Sequence, residues 1–154
     1  MITDAYSHTV VGFCFRTDMS AQGCLDALQR ALDNRSYKNP LIHHSDRGSQ
    51  YCSSAYVSLL KDNEIAISMT ENGDPYENAL AERLNGIIKE EFSLYESRVS
   101  FEATYEKIRN SINVYNERRP HGSCDFLTPK QAHQTKEQSR KPKRRVKRKR
   151  FSSF

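Results

Sequence analysis

The sequence has no long apolar run. A transmembrane helix needs roughly 18 or more consecutive apolar residues, and no stretch of the 154 residues approaches that length. The N-terminus also lacks the basic segment followed by an apolar segment that marks a secretory signal. We therefore expect a soluble, cytoplasmic protein.

The sequence also lacks paired cysteines. Cys14, Cys24, Cys52 and Cys124 form no Cys-x-x-Cys pair, and no histidine stands at zinc-finger spacing from them. Neither a disulfide framework nor a structural zinc is indicated, so we expect four reduced thiols. Helix-turn-helix patterns are absent as well, which argues against a sequence-specific DNA-binding regulator.

Positive charge is concentrated at the C-terminal end of the chain. Residues 136–150 contain ten Lys or Arg and one Glu, whereas residues 1–135 hold 14 basic and 18 acidic residues. Blocks of like charge are usually disordered and bind polyanions, because they neutralise phosphates and release counterions. We predict one domain over residues 1–135 and a basic tail over residues 136–154. A C-terminus altered by a frameshift is the alternative explanation for the tail.

The first half of the chain alternates between strand and helix patterns. The predicted elements are a hairpin over residues 1–16, a helix over 20–33, a strand over 41–44, a helix over 53–63 and a strand over 65–69. Ser20 is expected to cap the first helix, and the four-residue strand is expected to be buried. The order strand, helix, strand indicates an α/β domain with a parallel pair of strands.

The second half is mainly helical. It comprises a turn-rich loop over residues 70–76, a helix that contains Glu82, a long helix over 100–116, a turn over 116–122 and a short helix that begins at Pro129. Apolar residues recur at helical spacing in the long helix, which predicts a stripe packed on the sheet. Thr128 with Gln131 matches a capping box.

Two carboxylates, Asp46 and Glu82, are separated by 35 residues. One follows a predicted strand and the other lies on a predicted helix, so the two can converge and bind Mg²⁺ or Mn²⁺, hard cations that prefer oxygen ligands. Lys89 shares a helix face with Glu82, and Gly86 between them leaves room for a bulky group. By spacing alone, Asp46 is more often a helix cap or solvated group than a metal ligand, and Glu82 could simply face water.

Four strings of residues add a resemblance. They are HSDRGSQY at His44–Tyr51, NALAE at Asn78–Glu82, YNERRPH at Tyr115–His121 and LTP at Leu127–Pro129. In this order, over residues 2–133, they resemble the integrase catalytic core of bacterial insertion-sequence transposases, the second-reading-frame products related to retroviral integrases. The resemblance implies a ribonuclease-H-like mixed sheet flanked by helices and an Asp-Asp-Glu site that binds two Mg²⁺ ions. Asp46 would be the second carboxylate and Glu82 the third.

The sequence departs from this family at its N-terminal end. The segment Ile2–Gly12 resembles the family's second strand and turn, whereas the first catalytic Asp belongs to the strand before it. That first strand is missing here, as is the N-terminal DNA-recognition region of such transposases. Asp4 begins the hairpin turn. An Asp is expected there, because its side-chain oxygen can accept hydrogen bonds from nearby backbone N–H groups. A metal-ligand role for Asp4 is the less favoured alternative.

The resemblance also implies contacts with DNA. Lys89 would bind a phosphate, and Arg118 and Arg119 would form either a structural turn or a DNA contact. In the tail, Lys143, Arg144 and Arg145 are expected to bind DNA. We interpret the neighbouring histidines, His43 and His44, as strand residues rather than metal ligands.

The function that the resemblance implies is DNA transposition. A complete protein would hydrolyse or transesterify DNA 3′ ends, act on transposon ends and target DNA in the nucleoid as a homo-oligomer, and involve no membrane. Because the first catalytic Asp is absent, we expect this chain to be catalytically incomplete. The alternative is a non-catalytic DNA-binding remnant.

Overall fold

The alternation of strands and helices is present in the computed structural model. The structure describes residues 1–18, 20–36, 39–70, 79–91 and 100–135. The elements are β1 (Ile2–Thr3), β2 (Val10–Gly12), α1 (Gln22–Asp33), β3 (Ile42–Ser45), α2 (Ser54–Asp62), β4 (Ala66–Met69), α3 (Ala79–Glu91), α4 (Phe101–Arg118) and α5 (Pro129–Gln134), with a 3₁₀ turn over Gly122–Cys124. The predicted basic tail and nearly all of the predicted loop over residues 70–76 lie outside the described residues. None of the described helices is long and apolar enough to cross a membrane.

The strands form two separate pairs in the described part of the chain. β1 and β2 are antiparallel, with Ile2 opposite Gly12, and β3 and β4 are parallel, with Ile42 opposite Ala66. The predicted parallel pair and the α/β class are therefore confirmed. The two pairs share no backbone ladder, so the mixed sheet is divided in two.

The hairpin turn is organised by Asp4. Its Oδ1 accepts hydrogen bonds from the backbone N–H groups of Tyr6 (3.1 Å) and Ser7 (2.7 Å) and from the Ser7 hydroxyl (2.9 Å). This confirms the predicted turn role of Asp4. Ser7 is fully buried, and its Oγ lies 3.0 Å from Nδ1 of His133 in α5. The hairpin is thereby tied to the last helix of the described chain.

The hairpin strand is shorter than predicted, because Phe13 and Phe15 leave the ladder. Phe13 packs against Tyr105 and Phe15 against Phe101, both on α4, with ring centroids 5.9 and 5.2 Å apart. Gly12 lies so close to α1 that an added Cβ would stand 2.1 Å from the Ala27 carbonyl oxygen. The strand prediction was therefore wrong for residues 13–15.

Side chains cap the first turn of three described helices, and one of these caps, at Thr128, was predicted. The side chains of Ser53, Ser100 and Thr128 each accept a hydrogen bond from the backbone N–H three residues on, and Thr128 forms the full capping box. The prediction for Ser20 was wrong. Its hydroxyl donates to Asp18 Oδ1 (2.9 Å) instead, and α1 begins without a side-chain cap.

Two groups of buried apolar residues hold the domain together. Val10, Leu84, Ile88, Ile112 and Tyr115 join the hairpin to α3 and α4. A second group, comprising Leu28, Tyr56, Leu60 and Ile65, joins α1, α2 and the start of β4. The predicted stripe of α4 is thus buried in its C-terminal half, whereas Phe101 at its start is exposed.

The expectation that the strand of Leu41–His44 is buried was wrong. Leu41 and His43 are only partly buried, His44 is exposed, and so is Ile42. This side chain is 72% exposed, although it lies in β3. The reason is that, among the described strands, β3 pairs only with β4, and its other edge borders a cavity.

Candidate active site

Asp46 lies directly after β3 in a turn with a fixed shape. Its Oδ1 accepts a hydrogen bond from the backbone N–H of Gly48 at 2.8 Å, and its side chain is exposed. An added Cβ on Gly48 would stand 2.9 Å from that same oxygen, so another residue here would make the Asp46 carboxylate shift. Nε of Arg47 donates to the Thr70 carbonyl oxygen at 2.7 Å and fastens the turn to the end of β4. The predicted position of Asp46 at the C-terminal end of a strand is confirmed.

Glu82 lies in the first turn of α3, where the helix dipole favours a carboxylate. Leu84 and Ile88 are buried on one side of this helix, whereas Glu82 and Lys89 are exposed on another. An added Cβ on Gly86 would meet no atom within 4 Å. The predicted shared face of Glu82 and Lys89, with open space between them, is therefore present.

A cavity of about 410 Å³ lies between β1 and β3. Asp46 lines it at the end of β3, and Leu80 and Asn85 of α3 also line it. Asn85 follows Glu82 by three residues and therefore lies one helical turn away on the same side. Glu82 belongs to a helix that borders the cavity but is not among the lining residues. The fold thus brings Asp46 and the N-terminal half of α3 to one cavity.

A complete metal-binding cluster is absent from the described part of the chain. Within residues 1–18, 20–36, 39–70, 79–91 and 100–135, no three His, Cys, Asp or Glu side chains lie close enough to hold one ion. The two carboxylates are the oxygen donors that the site offers. Their chemistry suits Mg²⁺ or Mn²⁺ rather than a soft metal.

The two histidines before Asp46 each lie within hydrogen-bond distance of a hydroxyl group on a neighbouring element. His43 Nε2 lies 3.0 Å from the Tyr56 hydroxyl, and burial, followed by the charge of His44, lowers the pKa of His43. His44 Nδ1 lies 3.0 Å from the Ser68 hydroxyl on β4. Burial also raises the pKa of Tyr51 to about 12, with smaller contributions from Cys24 and Asp46. The interpretation of both histidines as strand residues is confirmed.

The segment after α4 forms a structural turn. The His121 ring stacks on His8 at a centroid distance of 5.3 Å and meets Tyr115 edge-on at 5.2 Å. Arg118 is exposed at the end of α4, and Arg119 is partly buried. The predicted DNA-binding residues Lys143, Arg144 and Arg145 lie outside the described residues.

One residue with a clear role was not singled out from the sequence. Asn116 of α4 donates from Nδ2 to the Val10 carbonyl oxygen and accepts at Oδ1 from the Val10 N–H, both at 3.0 Å. The side-chain amide therefore pairs with β2 as a neighbouring strand would. The only sequence signal was its place in the YNERRPH string.

Comparison with known proteins identifies this arrangement. Two family models, both described as "Integrase core domain", match residues 1–75 and 63–129. The chain belongs to the integrase core family. The matched residues of the two models include β1 to β4 and α3, and thus both Asp46 and Glu82.

Sequence relatives of this integrase core include insertion-sequence transposases. Transposase InsF for insertion sequence IS3A of Escherichia coli (strain K12) is 36% identical over 132 residues, which are 85% of this chain and 46% of the relative. The transposase for insertion sequence element IS904 of Lactococcus lactis subsp. lactis (strain IL1403) is 33% identical over 130 residues, 82% of this chain and 51% of the relative. The chain therefore spans about half the length of these curated relatives.

Solved structures with the same fold are retroviral integrase cores. The HTLV-2 integrase catalytic core domain in complex with magnesium (trimeric form) has a TM-score of 0.66 and 19% identity, covering 85% of this chain and 80% of that one. The catalytic core domain of BIV integrase has a TM-score of 0.58 and 16% identity, covering 75% and 72%. The ribonuclease-H-like fold class is thereby confirmed.

Proposed function

We propose that this chain is the core of a metal-dependent DNA strand transferase and contributes two of its catalytic carboxylates, Asp46 and Glu82. The observation that supports this most directly is the position of Asp46. It ends β3 at a cavity that is also bordered by α3, the helix that contains Glu82, in a chain of the integrase core family.

The carboxylates of Asp46 and Glu82 could supply some of the oxygen ligands that a divalent metal needs. One oxygen of Asp46 accepts the Gly48 N–H, which orients the carboxylate, and the exposed Glu82 is open to a ligand. The HTLV-2 integrase core was solved with magnesium. Bound Mg²⁺ or Mn²⁺ ions would activate the attacking oxygen and stabilise the leaving oxygen of a phosphodiester. Asp46 and Glu82 would hold them.

DNA would be bound by cations on both sides of this site. Lys89 is exposed on the Glu82 face of α3, and Arg118 is exposed at the end of α4. Arg119 and the tail residues Lys143, Arg144 and Arg145 would add phosphate contacts. Transposon ends and target DNA would be the substrates. The HTLV-2 integrase core has been solved in trimeric and dimeric forms, so assembly into a homo-oligomer is proposed as well.

We further propose that residues 1–135 form a catalytic core that is incomplete by itself, with residues 136–154 as a basic tail. Two carboxylates position two metal ions less well than three, because each ion needs several oxygen ligands. The second candidate, a non-catalytic DNA-binding remnant, is favoured by the absence of a three-residue metal cluster among the described residues.

The decisive experiment uses a longer protein in which a strand that carries an Asp precedes residues 1–154. Glu82→Gln should lower the rate of DNA strand transfer by about 10²-fold or more, the scale expected when a group aimed at developing charge is lost. Glu90→Gln, on an exposed side of the same helix, is the matched control and should retain the rate. Strand transfer unaffected by Glu82→Gln would contradict the assignment.

The chain of residues 1–154 tests the second candidate. It should bind DNA with an affinity that falls steeply with salt, and removal of residues 136–154 should flatten that dependence, because fewer counterions are released. Mg²⁺-dependent nicking by the purified chain, abolished by Asp46→Asn, would instead exclude the remnant and show that two carboxylates suffice.

A further inference from the structure

Two sulfur atoms from separate elements meet beside the turn that holds Asp46. The thiol of Cys52, which directly precedes the N-cap of α2, lies 3.9 Å from Sδ of Met69, the last residue of β4. Cys52 is exposed and Met69 is partly buried. The pair is therefore open to solvent on the Cys52 side and supported by the fold on the Met69 side.

The distance between the two sulfurs suits a shared metal ion. Metal–sulfur bonds in proteins are about 2.3 Å long, so one ion can contact both atoms of a pair separated by 3.9 Å, with a sulfur–metal–sulfur angle of about 120°. This is the angle of a trigonal ion, and the backbone need not move to provide it.

A thiolate and a thioether are soft ligands, and this decides the class of metal. Soft sulfur donors select Cu(I), whereas Mg²⁺ and Ca²⁺ prefer oxygen. Zinc fits less well, because it takes four Cys, His or carboxylate ligands, and no three such side chains lie close enough together within the described residues. Cuprous and silver ions accept fewer ligands than zinc, so a pair of sulfurs can hold one.

The fold already joins the two segments that carry the sulfurs. The N–H of Cys52 donates to the Gly48 carbonyl oxygen at 3.2 Å, and the thiol lies 3.8 Å from the Arg47 carbonyl oxygen. Nε of Arg47 in turn donates to the carbonyl oxygen of Thr70, the residue after Met69. Little conformational freedom is therefore lost when an ion bridges the two sulfurs.

A buried hydroxyl lies beside Met69. Ser45 stands opposite Met69 in the parallel ladder, so the two side chains lie on the same face of the strand pair. Ser45 is 6% exposed, and its Oγ has no hydrogen-bond partner among the residues that the structure describes. An unpaired buried hydroxyl costs free energy, whereas a metal-bound thiolate accepts hydrogen bonds from surrounding groups. The Ser45 hydroxyl is thus available to the ligands of a bound ion.

We propose that Cys52 and Met69 form a binding site for one soft monovalent metal ion of the Cu(I) and Ag(I) class. The ion takes the place of the Cys52 thiol proton, which passes to solvent, and the Met69 sulfur donates a lone pair. No electron is transferred, so neither an oxidant nor a reductant is needed. The bound ion joins the turn after β3 to the end of β4, and the site does not depend on the function proposed above.

The test uses the full chain and silver nitrate, because Ag⁺ needs no reductant to remain monovalent. The chain contains three methionines, Met1, Met19 and Met69. In NMR spectra of the chain labelled with ¹³C at the methionine methyl groups, the first equivalent of Ag⁺ should shift the Met69 signal and leave the other two in place. The spectrum of Met69→Leu assigns that signal.

Variants separate the two ligands. Cys52→Ser should abolish the shift of Met69 and lower Ag⁺ affinity by about 100-fold, and Met69→Leu should lower it by about 10-fold, since even an outer-shell partner contributes on this scale. Cys14→Ser removes a partly buried thiol that lies 3.7 Å from Asp26 Oδ2, and this matched control should retain the affinity. Competition with a dissolved monothiol measures affinity, and circular dichroism checks that each variant is folded.

Three results would overturn the proposal. They are a Met69 methyl signal that saturating Ag⁺ leaves in place, equal Ag⁺ affinity of Cys52→Ser and the original chain, and an equal shift of Met69 by Mg²⁺ or Zn²⁺ at the same concentration. None of these measurements involves DNA. A failure of strand transfer would therefore contradict the roles proposed for Asp46 and Glu82 and leave the sulfur site standing.

Discussion

The two strand pairs of this integrase core differ in how their outer edges are treated. β2 has its free edge covered, because the side-chain amide of Asn116 bonds to both backbone groups of Val10. The edge of β3 that borders the cavity is paired with no strand of the described residues. The same contrast holds for the side chains: Val10 is 6% exposed and Ile42 is 72% exposed.

The two edges differ in role, because one belongs to the packed structure and the other borders the candidate active site. Exposed strand edges invite pairing with other chains, and proteins usually cover them. In the described residues the edge that faces α4 is covered by Asn116, whereas the edge of β3 that leads to Asp46 has no strand beside it. The candidate active site lies at the second edge.

The largest effect is expected from a substitution that removes the hydrogen bonds between Asn116 and β2. Asn116→Leu would leave the N–H and C=O of buried Val10 without their partners, and each such loss costs about 1–3 kcal/mol. We expect the free energy of unfolding to fall by about 2–4 kcal/mol, measured by urea denaturation.

The exposed Asn113, one turn earlier on α4, provides the matched control. Asn113→Leu should change the free energy of unfolding by less than about 0.5 kcal/mol, as is usual for surface positions. Equal effects of the two substitutions would mean that the covered edge of β2 contributes nothing to stability.

A smaller effect is expected at the turn that follows β3. Gly48→Ala places a Cβ 2.9 Å from Oδ1 of Asp46, so the carboxylate must shift. We expect the affinity of the completed core for Mg²⁺ to fall by about 10-fold, the scale on which misoriented ligands weaken metal sites. Isothermal titration calorimetry with Mg²⁺ or Mn²⁺ measures this directly.

Gly122 offers the control for that substitution, because an added Cβ there meets no atom within 4 Å. Gly122→Ala should leave metal affinity unchanged. A Gly48→Ala protein with normal metal affinity would show that the bond from Gly48 N–H to Asp46 does not orient a ligand.

Local sequence chemistry explains which features could be predicted. The capping box of Thr128 depends on a residue three positions on, and the turn role of Asp4 depends on its next three neighbours. The position of Asp46 follows from a short strand and a polar turn. These features need no knowledge of the rest of the chain.

The features that could not be predicted depend on distant contacts. Asn116 and Val10 are 106 residues apart, and Ser7 and His133 are 126 apart. The exposure of Ile42 depends on which elements lie beside β3, and a four-residue apolar pattern does not contain that information. Ser20 donates its hydroxyl to Asp18, and Ala21 rather than Ser20 occupies the N-cap position of α1.

The smallest effect is expected at His43, which packs against Tyr56 of α2 from one face of β3. Burial lowers the pKa of His43 in the folded state, whereas an unfolded histidine has a pKa of about 6.5. As the pH falls below that value, the unfolded chain binds the proton first, so the stability that neutral His43 contributes above about pH 6.5 is lost toward lower pH. His43→Gln should flatten this loss, since the Gln side chain can still accept from the Tyr56 hydroxyl. His44→Gln, on the exposed neighbour, should retain the pH dependence seen in urea denaturation. A flat profile for His44→Gln and a steep one for His43→Gln would mean that His44, and not His43, causes the pH dependence.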